Sequence, residues 1–198
     1  MSLCLCASGC ATIYNPATEK KEIVFINTAM ETALGKAAAM QVTSQYTLIK
    51  NPEQADKVTE IGNKIAKVSD RTDIKYRFAV VEDKEINAFT IPGGYIYLNS
   101  GLIKVVESDD ELACVIGHEI GHIAARHIAK KLQAQLGYDI LMNIALRSAS
   151  IQEMRQAADL TFNLAMLGYS REDELLADRL GAKYAYRAGY NPEAMVTF

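Results

Sequence analysis

Ser108-Asp109-Asp110-Glu111-Leu112-Ala113-Cys114-Val115-Ile116-Gly117-His118-Glu119-Ile120-Gly121-His122 reads as the start and body of a single helix. Ser108 with Glu111 three residues on has the form of a capping box, in which a hydroxyl and a carboxylate satisfy backbone donors that the first turn leaves free. Leu112, Val115, Ile116, Ile120, Ile123 and Ile128 wrap most of the circumference, which implies a helix buried at the centre of the fold. Four-residue spacing sets His118 and His122 on one face, one turn apart, with Glu119 beside them. Two imidazoles and a carboxylate in such a helix are costly to bury unless they bind a metal or find hydrogen bonds. Zinc fits that demand, with the two histidines as ligands and Glu119 placed as general base toward a water.

Outward from this helix the pattern changes. Tyr76, Phe78 and Val80 alternate with Arg77 and Ala79, the period of a strand. Asn87-Ala88-Phe89-Thr90-Ile91 and Tyr95-Ile96-Tyr97-Leu98 flank Pro92-Gly93-Gly94, the composition of two strands joined by a tight turn. Farther upstream the period is helical again. Asn51-Pro52-Glu53 opens a helix with proline at its first position and Val58, Ile61, Ile65 and Val68 at helical spacing. Thr28-Ala29-Met30-Glu31 has capping-box form ahead of an alanine-rich helix, so the folded body is expected to begin near Asn27. Downstream, Gln133 to Leu167 is helical in pattern, with a weak break at Ser148-Ala149-Ser150. A last helix starts at Ser170, with Asp173 completing its cap, and ends at Gly189 before Asn191-Pro192. Helices, a small sheet, then helices predict an α+β fold, mainly helical, with the His118 helix packed on the sheet.

At 198 residues, 49% apolar and 23% charged, the chain has the make-up of one globular domain, expected over residues 27–198. A net charge of -3 with no Lys/Arg-rich run gives no footprint for a nucleic-acid partner. Cys4, Cys6 and Cys10 crowd the start and Cys114 stands alone, which is not a disulfide framework. Leu3-Cys4-Leu5-Cys6-Ala7-Ser8-Gly9-Cys10 reads like the end of a bacterial lipoprotein signal, with Cys10 as the lipidated residue. Residues 1–26 are then signal remnant and tether, and the protein belongs to the periplasmic side of the cell envelope. Any membrane link is an anchor, because no apolar run approaches the ~18 residues of a spanning helix.

Zinc with two imidazoles needs a third protein ligand and an open position. A third histidine on the same helix would need Gly and His where Ala125 and Ile128 stand. His127 is one place short, which leaves it on the helix surface or behind the ligands. The third ligand is therefore expected to be a carboxylate on a later helix. Ser170 to Asp178 supplies Glu174 and Asp178, one turn apart on one face, a pairing that suits a ligand and a carboxylate orienting a metal-bound imidazole. Glu172 and Asp173, in the first turn, serve the cap and the helix dipole. Cys114, one turn before His118, is read as a small core residue. The apolar residues between Leu136 and Leu167 exceed the needs of one helix face, and a lid or partner surface fits them as well as core packing does.

Three segments, Asn87-Ala88-Phe89 with Pro92-Gly93-Gly94, His118 through His122 to Arg126-His127, and Ser170-Arg171 through Glu174 to Asp178, occur in this order. By them the chain, from about Asn27 to its end, resembles the gluzincin metallopeptidases of the HtpX and CAAX-prenyl-protease type, especially their soluble periplasmic members. The resemblance implies one zinc ion on His118, His122 and Glu174, Asp178 behind the ligands, Glu119 as catalytic base, and a polypeptide substrate. It also implies that the strand carrying Asn87 and Ala88 binds an extended peptide along its edge, where the residues alone read an ordinary hairpin arm equally well. Amide hydrolysis calls for a donor to the developing oxyanion, and no residue of the sequence marks itself as one. The family continues past the point equivalent to Phe198, which is one place for that donor. A catalytically weak zinc-binding lipoprotein acting as a chaperone or assembly adaptor is the rival reading.

Overall fold

A computed structural model describes residues 11–145 and 148–196. Cys10, and with it the expected anchor, lies outside the described residues. The stretch expected to be a tether is folded from Ala11 on. Strands β1 (Ala11–Asn15) and β2 (Lys20–Val24) form an antiparallel hairpin. Its docking explains the departure: Asn15 donates to the Ala124 carbonyl, Gln133 accepts from the Phe25 amide, Lys130 pairs with Glu22, and Ala17 is buried in the main core. Of the charged run, Glu22 turns to the helices, while Glu19, Lys20 and Lys21 stay exposed.

Helix α1 (Thr28–Gln45) is capped by Asn27, whose side chain accepts from the Met30 amide, and not by Thr28. Glu31, expected to close a capping box, is only 2% exposed and is held by Arg71 and Arg126. Helix α2 (Pro52–Val68) starts as expected, with the Asn51 side chain accepting from Glu53. Strands β3 (Arg77–Val81), β4 (Ala88–Ile91) and β5 (Tyr95–Asn99) form a sheet in the order β3-β5-β4. β5 runs parallel to β3 and antiparallel to β4. The turn between β4 and β5 requires its glycines: Gly93 and Gly94 have φ of 79° and 89°, and a Cβ on Gly94 would lie 2.5 Å from the Lys75 carbonyl oxygen.

A short helix α3 (Ser100–Val105) follows directly on β5, too brief for periodicity to reveal. Helix α4 (Asp109–Ala125) carries His118 and His122 and is buried on nearly every side, as its apolar girth predicts. Ile116, Ile120 and Ala124 join Ile61 and Ile65 of α2 and Ile96 and Leu98 of β5 in one core. Arg126, at φ 62° in the left-handed region, stops α4, and α5 (His127–Gln135) begins at the next residue in a new direction. Helices α6 (Tyr138–Ala145) and α7 (Ile151–Met166) take up the stretch expected as one weakly broken helix, with a further break at Leu136-Gly137. Of the two readings for that stretch, core packing is what the structure shows: Leu136, Leu141, Ala157 and Leu164 bury against Ile26, Met30 and Leu34. The last helix, α8 (Arg171–Arg187), has the full Ser170–Asp173 capping box. A 3-10 turn, Pro192–Val196, closes the described chain.

The α4–α8 contact places the site. A Cβ on Gly117 would lie 2.8 Å from the Gly181 carbonyl oxygen, one on Gly121 2.9 Å from that of Ala177, and one on Gly181 2.7 Å from the His118 nitrogen. Three glycines thus let the two backbones touch, and α8 lies against the face of α4 that presents the histidines.

Candidate active site

His118 and His122 project from α4 toward the first turns of α8, where Glu174 and Asp178 stand. The Nε2 atoms of the two histidines are 2.9 Å apart. Glu174 Oε2 lies 3.2 Å from the first and 3.6 Å from the second. Two imidazole nitrogens and a carboxylate oxygen therefore gather within 4.8 Å of one another, from helices separated by some fifty residues of chain.

The surrounding hydrogen bonds decide what those atoms are. Asp178 Oδ1 lies 2.8 Å from His118 Nδ1, so the carboxylate draws the imidazole proton to Nδ1 and leaves Nε2 as a lone pair. Behind His122, its Nδ1 is 2.8 Å from Nδ1 of His127, and Nε2 of His127 faces Asp173 Oδ1 at 3.3 Å. Burial lowers His122 to about 2, with the charges of His118, His127 and Lys131 adding to it. Burial likewise lowers His127 to about 4, against the pull of Asp173. Both rings are neutral near pH 7. Asp173 then accepts the His127 Nε2 proton, His127 Nδ1 accepts the His122 Nδ1 proton, and His122 Nε2 is left bare. Two lone pairs and a carboxylate oxygen facing each other at such distances repel unless a cation lies among them. The donor set, two imidazoles and one carboxylate, suits zinc and leaves room in its coordination for a non-protein ligand.

Glu119 is 6% exposed, and its Oε2 has no hydrogen-bond partner among the described residues. Burial pushes its carboxyl up to about 7, offset in part by His118 and reinforced by Glu174. A carboxyl poised there exchanges protons readily at neutral pH. Beside it opens a cavity of about 240 Å³, lined by His118, Glu119 and Asp178 on one side and by Asn87 and Ala88 on the other. Leu102, Val115 and Met195 make its apolar wall. The fold thus brings the expected substrate-contact residues to the expected ligands. Cys114 is buried and lines the same cavity, with its thiol directed to the Asn191 and Pro192 carbonyls.

With the geometry in place, comparison with known proteins decides the family. Residues 52–198 match the model of peptidase family M48. The chain belongs to that family. This M48 chain is similar to the beta-barrel assembly-enhancing protease of Yersinia pestis, 30% identical over 85% of the chain and 36% of that protein. It is similar to the mitochondrial metalloendopeptidase OMA1 of Schizosaccharomyces pombe, 27% identical over 93% of the chain and 55% of that protein. The metalloprotease LoiP of Escherichia coli is 26% identical over the whole chain and 81% of its own length. The chain spans little more than a third of the length of the beta-barrel assembly-enhancing protease it matches.

For His127 the sequence allows the helix surface or a place behind the ligands, and the break at Arg126 puts it behind His122. Tyr169 has no role in the sequence analysis. Its ring lies face to face with His122 at 3.7 Å and 17°, and Lys131 sits over the same ring at 4.3 Å. Its one sequence signal is adjacency to the Ser170 cap, which ties its position to the start of the helix bearing Glu174.

Proposed function

We propose that this chain is a zinc metalloendopeptidase domain in which His118, His122 and Glu174 hold one zinc ion and Glu119 is the general base. The observation that supports it most is the convergence of those three donor atoms beside the buried Glu119, whose Oε2 has no hydrogen-bond partner among the described residues. Bound zinc would polarise the scissile carbonyl and make a water acidic enough to attack at neutral pH. Each remaining part belongs to the chain. Glu119 accepts the proton of the attacking water and passes it to the leaving nitrogen, a shuttle for which a pKa near 7 is well matched. Asp178 and the His127–Asp173 pair hold the two imidazoles in the ligating tautomer.

β4 is an edge strand among the described residues, and the cavity beside Glu119 begins at its Asn87 end. An extended polypeptide added along that edge passes the reacting groups, with Asn87 and the Ala88 backbone as its contacts. The apolar wall of Leu102, Val115 and Met195 suits an aliphatic or aromatic side chain next to the cleaved bond. Cell-envelope polypeptides are the proposed substrates. The name of the beta-barrel assembly-enhancing protease and the lipoprotein-like residues ending in Cys10 support that setting.

The test is cleavage of a fluorogenic peptide library by the full-length protein, its Glu119→Gln variant and the chelated protein. Glu119→Gln should keep its zinc and lose ~10²–10⁴-fold in kcat, and chelation should abolish cleavage until zinc is restored. Undiminished cleavage by Glu119→Gln refutes the proposal.

A further inference from the structure

The apolar wall of the cavity beside Glu119 has two origins. Leu102 and Val115 are packed into the main core by α3 and α4. Met195 is in none of the three core clusters of described residues; it reaches the cavity from the turn that follows the last helix.

The sequence after α8 explains how it gets there. Gly189, at φ 91°, takes the left-handed conformation that ends α8 and turns the chain back. Asn191 opens the 3-10 turn, its side chain accepting from the Glu193 amide at 3.1 Å, while its own amide donates to Asp110 Oδ1 at 2.9 Å. The Cys114 thiol donates to the Asn191 and Pro192 carbonyls at 3.7 and 3.9 Å. Asp110, Cys114 and His118 follow one another at four-residue spacing on α4, so the turn is fastened along the helix face that presents His118. The Met195 side chain then ends in the α4–α8 seam. A Cβ on Gly181 would lie 2.9 Å from the Met195 methyl carbon and 2.7 Å from the His118 nitrogen, so the absent side chain leaves the space that the methyl uses.

This wall differs physically from the others. Leu102 is 1% exposed and locked in the core. Val115 is β-branched on a helix, which leaves it one preferred rotamer. Met195 is half-buried on a short turn, with three rotatable bonds and a polarisable sulfur, and it changes shape without disturbing the core. The cavity, at about 240 Å³, is smaller than the ~300–1,000 Å³ of sites that enclose a whole ligand, and so has room for one side chain.

The geometry points to Met195 as the specificity-determining residue, the one that sets the size of the substrate side chain held next to the cleaved bond, a reading that rests on the peptidase function above. With methionine at this place the pocket takes one large apolar side chain, from leucine to phenylalanine in size. A smaller group at 195 deepens it along the seam, and a larger one fills it.

The experiment compares wild type, Met195→Leu, Met195→Ala and Met195→Phe in the full-length protein, with zinc content measured for each. Peptides of one sequence, carrying alanine, leucine, phenylalanine or tryptophan at either position flanking the cut, give kcat and KM. Wild type and the volume-conserving Met195→Leu should prefer leucine and phenylalanine at one of the two positions. Met195→Ala should raise the tryptophan-to-leucine ratio of kcat/KM ~10-fold, and Met195→Phe should raise the alanine-to-phenylalanine ratio by a similar factor. Zinc content should not change. One ranking shared by all four proteins, or a loss of rate uniform across the peptides, overturns the proposal. A zinc-loaded wild type that cleaves nothing overturns the peptidase reading instead, and the pocket is then read by binding alone. In protein labelled with methyl-¹³C methionine, the Met195 resonance is identified by its absence from Met195→Leu. It should shift when the phenylalanine peptide binds and much less with the alanine peptide; a bound phenylalanine peptide that leaves it unmoved counts against the assignment.

Discussion

Asp178 Oδ1 lies 2.8 Å from Nδ1 of His118, one turn of α8 beyond Glu174, whose Oε2 lies 3.2 Å from Nε2 of the same imidazole. One ring is thus met at both nitrogens by carboxylates from a single helix face, one holding its proton and the other facing its lone pair. Loss of Asp178 frees the ring to rotate and to carry its proton on the wrong nitrogen. Asp178→Ala should weaken zinc binding ~10–100-fold, measured by competition with a chromogenic chelator, while Asp178→Asn, which still accepts at Nδ1, should lose less.

His127 performs the same service for His122 with a neutral acceptor. His127→Leu removes the acceptor but keeps the bulk, and zinc affinity should fall ~10–100-fold. His127→Asn places an amide oxygen near the Nδ1 position and should recover most of it. Equal losses in the two variants would mean that packing, and not the hydrogen bond, is what His127 contributes.

The seam between α4 and α8 can be tested without touching a ligand. A methyl on Gly181 would lie 2.7 Å from the His118 backbone nitrogen, so Gly181→Ala must push the helices apart. Overpacking of this kind costs about 1–3 kcal/mol, and the same displacement carries Glu174 away from the imidazoles. Thermal melting of the zinc-free protein and zinc affinity should therefore fall together. A variant that melts lower but binds zinc normally would show that the seam does not set the site.

Acid stability should depend on Asp70. Burial alone would raise its carboxyl, but hydrogen bonds from Lys183 at 2.7 Å and Tyr184 at 2.9 Å, with the charges of Lys183 and Arg187, outweigh that and hold it below its ordinary value. A carboxyl depressed in the folded state stabilises above its unfolded pKa of ~3.9, and that contribution is lost as pH falls through the folded value. Asp70→Asn should thus cost about 1–2 kcal/mol near neutrality, and the difference from wild type should close below about pH 4. Denaturant melts at several pH values measure it.

Much of the fold was legible because its signals are local. The Asn51-Pro52 start, the turn at Pro92-Gly93-Gly94 and the Ser170–Asp173 box each act within four residues, and each stands where expected. What misled was local pattern without its partners. Thr28 and Glu31 have the spacing of a cap, but Glu31 is taken by Arg71, 40 residues away, so Asn27 caps instead. The stretch before Asn27 reads as a tether because Lys130 and Gln133, which hold Glu22 and the Ile23 carbonyl from across the fold, leave no trace in neighbouring residues.

The sequence by itself determined that His118 and His122 share a helix face and that Glu119 stands beside them, because the 3.6-residue turn is a property of the backbone. It also made Glu174 and Asp178 the carboxylate pair of a later helix. Only the tertiary structure decided that these helices meet, since that depends on three glycines allowing two backbones into contact. It alone put His127 behind His122, through the left-handed turn at Arg126, and Tyr169 against the same ring. Helical periodicity is fixed within a turn or two, whereas the approach of side chains distant along the chain is fixed by packing.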